Sequence, residues 1–185
     1  NLSSLIVVTN PVNTGALGTY TVRYNVSDAA GNAAVEVTRT VIVEDTTLPV
    51  ITIIGSSPIT HEAGTIYTDA GASATDNVDG NLTASIATTS TVNTNAIGDY
   101  EVRYNITDSS GNAATPAIRT VLVRDSIAPV ITLTGNSAIT HEAKTPYTDE
   151  GATAFDSFEN NITGIIATSS TVNVNILGTY EVRYN

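Results

Sequence analysis

Two sets of residues in this sequence have types and spacings that could do chemistry. The first is a His-Glu pair that occurs twice, at His61-Glu62 and His141-Glu142. A zinc protease motif needs a second His four residues after the first, so that one helix face carries both ligands. Positions 65 and 145 are Thr, and the neighbouring Gly64 and Pro146 oppose a helix. Both pairs therefore read as surface loops. The second set is acidic: Asp45, Asp76, Asp79 and Asp108, then Asp125, Asp156 and Glu159. Calcium takes six to eight oxygens from such carboxylates, from backbone carbonyls and from water. Two carboxylates about 6 Å apart repel by roughly 3 kcal/mol at an effective dielectric near 20, so convergence calls for a cation between them or separation in water. Asp also forms tight turns with no metal. The run Asp76-x-x-Asp79-Gly80 lacks the full EF-hand spacing, and Glu159 and Asn160 replace Asp79 and Gly80 in the second copy. Calcium is the one cofactor these residues suggest.

No nucleophile arrangement accompanies them. Ser and Thr are abundant, but there is no Gly-x-Ser-x-Gly elbow and no second His beside either His. Near-identical copies also argue against an active site, which needs one special constellation. An enzyme is not expected.

The elements that would position these residues are read from composition and period. Charged residues make up 14% of the chain and hydrophobic ones 41%, with Thr, Ser, Asn, Gly and Ala filling much of the remainder. Thr suits pleated strands, and Asn and Gly suit the turns between them, which predicts an all-β chain. The net charge of −11 would repel phosphate backbones and anionic membrane surfaces, so nucleic acid and membrane are excluded as partners. With no Cys, neither a zinc finger nor a disulfide framework can form. No apolar run approaches the roughly 20 residues of a membrane span, and no signal peptide is visible. Asn-x-Ser/Thr sequons begin at Asn1, Asn25, Asn81, Asn105 and Asn161, and they matter only in a host that glycosylates them.

The decisive pattern is self-similarity. His61-Glu62-Ala63 returns 80 positions later as His141-Glu142-Ala143, and Pro49-Val50-Ile51-Thr52 returns at the same step as Pro129-Val130-Ile131-Thr132. Gly18-Thr19-Tyr20, Gly98-Asp99-Tyr100 and Gly178-Thr179-Tyr180 keep that step as well. One complete unit is taken as residues 46–125, preceded by the later part of a unit (1–45) and followed by the earlier part of another (126–185). Half a sandwich exposes unpaired edges and half a core, so the parent protein is expected to continue in both directions, strand exchange between neighbouring chains being the other way to complete it.

Within the unit, Val50–Ile54 alternates as a half-buried strand. Residues 67–75 read as a second strand running into the turn 76–80, and 82–89 and 91–97 as shorter β segments. The clearest signal is Tyr100–Thr107, where Tyr100, Val102, Tyr104 and Ile106 should face inward and Glu101, Arg103, Asn105 and Thr107 water. A turn over 108–112 and a last strand over 117–123 close the hairpin. About seven strands with frequent turns indicate a β-sandwich. In an immunoglobulin-type Greek key, the turn after the second strand and the last hairpin turn lie at the end where the domain begins. This brings Asp76, Asp79 and Asp108 toward the arriving linker Glu44-Asp45, and Asp156 and Glu159 toward Asp125.

The motif Gly-x-Tyr-x-Val-x-Tyr-x-x-x-Asp-x-x-Gly-Asn, closing on Val-x-Val-x-Asp, resembles the bacterial immunoglobulin-like domains related to hyalin repeats. With Tyr-x-Asp-x-Gly-Ala and Asp-x-x-Asp-Gly in front, it is most similar to the bacterial surface-protein branch, also found in some pesticidal crystal proteins. The resemblance implies tandem Ig-like Greek-key β-sandwich repeats in a secreted or surface-displayed, often very long, bacterial protein. The Gly-x-Tyr step also resembles the tyrosine corner of immunoglobulin folds, so Tyr20, Tyr100 and Tyr180 should each tie a loop. The function expected is a structural spacer or stalk in a surface adhesin, sheath or filament, with calcium at the junctions. Its partners would be adjacent repeats and other copies in a filament. Each sandwich would add roughly 30–40 Å. The alternative is a glycan- or protein-binding module, for which Phe155 and Phe158, in place of Thr75 and Val78, are the only hint.

Overall fold

The computed structural model describes residues 5–185. They are built from strands and short turns, and no helix among them is long and apolar enough to cross a membrane. Strands β1 (Val7–Thr9), β2 (Gly18–Asn25) and β3 (Val37–Val43) form one antiparallel sheet in the order β1-β2-β3. Seven strands follow: β4 (Val50–Ile53), β5 (Ile59–Glu62), β6 (Ala72–Asp76), β7 (Gly80–Asn81), β8 (Ala87–Ser90), β9 (Gly98–Asn105) and β10 (Ala117–Arg124). They make two sheets, β4-β6-β7 and β5-β10-β9-β8. The last stretch repeats the first of these sheets with β11 (Val130–Leu133), β12 (Ala152–Asp156) and β13 (Asn160–Asn161), and pairs β14 (Thr168–Ser170) with β15 (Val182–Tyr184). The chain is an array of immunoglobulin-like β-sandwich repeats.

Two compact units are distinguished: Asn1–Ile54 with Gly71–Thr89 and Arg103–Ala117, and Gly55–Ala70 with Ser90–Val102 and Ile118–Asn185. In the first, Ala74, Ile106 and Ala114 form a buried cluster with Ile51, Leu82 and Ile86 packed against it. The small side chains of β6 let the facing Ile residues approach closely. In the second, Val102, Val121, Val123 and Ala63 are buried. The predicted alternation holds: Val102, Tyr104 and Ile106 are buried and Tyr100 half-buried, while Glu101, Arg103 and Thr107 are exposed. Asn105, expected to face water, is half-buried.

The tyrosine hydroxyls do tie loops. Tyr20, Tyr100 and Tyr180 donate to the carbonyls of Ala16, Ala96 and Ile176, each four residues upstream, at 2.9, 2.9 and 2.8 Å.

Four expectations need correction. The second strand does not run from Tyr67; it covers only Ala72–Asp76, because Tyr67 and Asp69 are held in a side-chain network instead. Residues 91–97 are a turn rather than a β segment, with Asn93 Oδ1 accepting the N–H of Asn95 at 3.0 Å. In 82–89 a 3-10 turn over Thr83–Ser85 comes before β8. His61-Glu62, read as a loop, ends a strand: β5 pairs parallel to β10, with Glu62 opposite Arg124. The same tetrapeptide Ile-Thr-His-Glu at 139–142 is not a strand. Identical sequence becomes a strand only beside a partner, since strand formation depends on cross-strand neighbours more than on intrinsic preference.

Candidate metal centre

Turn chemistry sets the geometry of each acidic residue. Asp76 ends β6, and its Oδ1 accepts the N–H groups of Val78 and Asp79 at 2.7 and 3.1 Å, closing the turn into β7. Asp45, in the linker before β4, uses Oδ1 to accept the N–H of Thr47 at 3.0 Å. Asp108 follows β9 and opens the hairpin turn to β10. Its Oδ1 takes the N–H groups of Ser110 and Asn112, and its Oδ2 the side-chain amide of Asn112. That amide also donates to the backbone carbonyl of Asp45 at 3.1 Å, so Asn112 fastens the hairpin to the linker.

These turns bring three carboxylates together. One oxygen each from Asp45, Asp76 and Asp108 lies within 4.8 Å of the other two. Asp45 is 9% exposed and Asp108 7%. The Oδ2 atoms of Asp45 and Asp76 are buried with no hydrogen-bond partner, an arrangement that is rare and costly for a carboxylate. Among the described residues, no Arg or Lys forms an ion pair with any of the three; the ion pairs lie elsewhere, as in Arg23–Glu36 and Arg124–Asp99. A calcium ion with oxygens at about 2.3–2.6 Å spans ligands up to about 5 Å apart, which this group satisfies. The donor set fits.

Asp79 is not part of this group. It turns to the hairpin, where Oδ2 accepts the N–H of Ser109 at 2.6 Å and Oδ1 its hydroxyl at 2.7 Å. The first hairpin provides a comparison. Asp28 makes the same turn with Ala30 and Asn32, yet it is exposed. The turn itself therefore needs no cation; the burial of Asp108 comes with the linker packed beside it.

The second junction shows the same local geometry. Asp125 Oδ1 accepts the N–H of Ile127 at 3.3 Å, and Asp156 Oδ1 accepts those of Phe158 and Glu159 at 2.7 and 3.0 Å. Asp156 is 3% exposed, and Glu159 is exposed and lends the turn its backbone N–H. Sequence reasoning missed Glu62. Its carboxylate accepts the N–H of Ser126 at 3.0 Å and the Ser126 hydroxyl, which holds the linker against the end of β5. A carboxylate in the last position of a strand that faces a linker would have been the signal. Phe158, the hint of a binding surface, sits 3.5 Å from where a Cβ on Gly64 would be.

His61 and His141 take part in packing. Each ring meets a tyrosine edge-on, Tyr67 at 5.1 Å and Tyr147 at 5.3 Å, and lies 3.0 Å from the hydroxyl of Thr65 or Thr145. Tyr67 and Tyr147 donate in turn to Asp69 and Asp149. The bond to Asp149 raises the Tyr147 hydroxyl above its ordinary range.

Hydrogen bonds hold several carboxyls below their usual values. For Asp28 the Asn32 side chain is the largest cause. For Asp156 it is the N–H groups of Glu159 and Phe158. Burial pushes Asp108 up most strongly, but bonds from Asn112, Ser110 and Gly111 together outweigh it. Depressed folded values mean stability that is present above the unfolded carboxyl range near 4 and lost as pH falls through the lowered values. The melting midpoint should stay level from pH 7 to about 5 and decline below about 4. A midpoint already falling between pH 7 and 5 would contradict these assignments.

Residues 1–43, 51–123 and 131–185 each match the family described as bacterial surface protein, Ig-like domain. Over 109 residues, 56% of this chain, the sequence is 36% identical to an uncharacterized 81.3 kDa protein of Acholeplasma phage L2, and that stretch spans 15% of the phage protein. The crystal structure of the lipoprotein BT2262 from Bacteroides thetaiotaomicron is similar at 27% identity and a TM-score of 0.38, over 44% of this chain and 40% of that one. The M60 catalytic domain with two CBM51 domains of ZmpB from Clostridium perfringens aligns at 14% identity and a TM-score of 0.38, over 77% of this chain and 31% of that one.

Proposed function

Because this chain belongs to the family of bacterial surface protein Ig-like domains, we propose that it is a spacer segment of a long extracellular repeat protein whose junctions are stiffened by calcium. The observation that carries this reading is the convergence of Asp45, Asp76 and Asp108, with two buried carboxylate oxygens left without a partner. Asp45 comes from the linker, and the other two from loops of the repeat that follows it. A cation held by all three fixes the linker to the next sandwich and removes freedom at the hinge. Placement outside the cell supports calcium as the ion, since extracellular modules bind it at 10⁻⁴–10⁻³ M, the concentration range found there.

Calcium binds the folded state and not the unfolded chain, so it should raise the melting midpoint. With calcium at about 100 times its dissociation constant, the rise should be about 5 °C or more relative to EGTA. Asp45→Asn with Asp76→Asn should abolish that rise and leave the EGTA midpoint unchanged or higher, because the double change removes repulsion. Equal midpoints in calcium and EGTA for the unaltered chain would refute the cation site. Spacing is tested separately, by X-ray scattering from an array of several repeats: length should grow with each added repeat, and a compact particle would refute the spacer.

A further inference from the structure

Resting on the cation site proposed above, we infer that Asp79 and Asn112 are its positioning residues: neither ligates the ion, and together they pin the three ligand-bearing segments to one another. Asp45, Asp76 and Asp108 belong to a linker, a turn and a hairpin that are far apart in sequence. Each carboxylate is aimed by its own local turn, but a local turn cannot hold it near the other two. Two side chains bridge the segments. Asp79, in the same turn as Asp76, accepts the N–H of Ser109 at 2.6 Å and the Ser109 hydroxyl at 2.7 Å. This fastens the Asp76 turn to the hairpin that Asp108 opens. Asn112, at the far end of that hairpin turn, donates its side-chain amide to Asp108 Oδ2 at 2.9 Å and to the Asp45 carbonyl at 3.1 Å. This fastens the hairpin to the linker.

The first hairpin shows that the turn itself needs neither bridge. Asp28 accepts the N–H groups of Ala30 and Asn32 and the Asn32 amide at 3.0, 2.8 and 2.9 Å. The matching bonds of Asp108 measure 3.0, 2.7 and 2.9 Å. Ala29 stands there in place of Ser109. The bridges are therefore additional to the hairpin, and what they hold is the spacing of the carboxylates. That spacing opposes itself. Three carboxylate oxygens within 4.8 Å of one another repel when no cation lies between them. Unpinned, the segments would spread. Calcium would then bind only the fraction of molecules in which they had come back together, with its affinity reduced by that fraction. Bonds that orient a metal's ligands are worth about 10–100-fold in affinity.

The test is the calcium affinity of the 185-residue chain by titration calorimetry, together with melting midpoints in calcium and in EGTA. The site in question is the one that Asp45→Asn with Asp76→Asn removes. Asp79→Ala and Asn112→Ala delete none of the three carboxylates, and each should weaken it about ten-fold or more. Asp79→Asn keeps an oxygen for the Ser109 N–H and an amide for the Ser109 hydroxyl, and should stay within about three-fold of the unaltered chain. Ser109→Ala reproduces the residue of the first hairpin, which folds with Ala29, and should weaken binding toward the low end of the same range. The weakening variants should also narrow the gap between the two midpoints, whereas a merely structural role would lower both together. Unchanged affinity in Asp79→Ala or in Asn112→Ala would overturn the inference and leave the spacer's cation site standing. Asp79→Asn as damaging as Asp79→Ala would overturn it equally, because Asp79 would then act through its charge. No calcium bound by the unaltered chain would remove both.

Discussion

Replacing Arg119 with Ala should destabilise the chain by about 3–5 kcal/mol, the cost of breaking a buried ion pair from one side. Arg119 sits on β10 and is 1% exposed, among the most buried side chains in the protein. Its Nε meets Asp69 Oδ1 at 2.8 Å and its Nη1 donates to the carbonyl of Ser56 at 2.6 Å. Asp69 also accepts from Tyr67, which packs on His61. Removing the guanidinium leaves the Asp69 carboxylate without its counter-charge and a carbonyl without its donor. It also opens a void under the loop that joins β4 to β5. Arg183→Ala gives the comparison: its pair with Glu181 is exposed on both sides, at 71% and 62%, and its loss should cost about 0.5 kcal/mol or less. Urea unfolding followed by circular dichroism would measure both. An Arg119→Ala change within about 1 kcal/mol of the unaltered chain would show that the network does not hold this end of the sandwich together.

Tyr104→Ala should cost a similar amount, about 3–5 kcal/mol, as expected for emptying the site of a large buried aromatic ring. Tyr104 is 1% exposed, whereas its counterparts Tyr24 and Tyr184, in the same Val-Arg-Tyr-Asn sequence, are only half-buried. Tyr24→Ala and Tyr184→Ala should therefore cost less than half as much. Tyr104→Phe should cost only about 1 kcal/mol, which assigns the loss to the ring rather than the hydroxyl. Equal penalties at the three positions would mean that local sequence, and not the surrounding packing, determines their contribution.

That contrast marks how far the sequence could be read. The inward phase of Tyr100–Ile106 and the tyrosine ties follow from period, turn residues and the family motif, because they are local. The convergence of Asp45, Asp76 and Asp108 was legible as well, since it depends only on which loops share one end of a Greek key. Asp79 was misplaced because a neighbouring Ser109 offered it two donors, a choice between two loops that no spacing encodes. β5 was missed because four residues of mixed polarity carry too little periodicity, and their pairing is supplied by a strand some sixty positions away. Arg119 was overlooked for a related reason. In an alternating strand its phase matches Val121 and Val123, but an arginine in that phase is ordinarily turned out to water. Only the facing Asp69 and Ser56 make its burial tolerable.

The seam between repeats has one more implication. A linker carboxylate closes one copy, and the loops that receive it open the next, so no repeat contains its own complete joint. Duplication or deletion of whole 80-residue periods, in any phase, would regenerate every joint intact. A change of any other length would leave a mismatched seam. In the spacer role proposed above, such steps would change the protein's reach by whole repeats, with no new contact to invent.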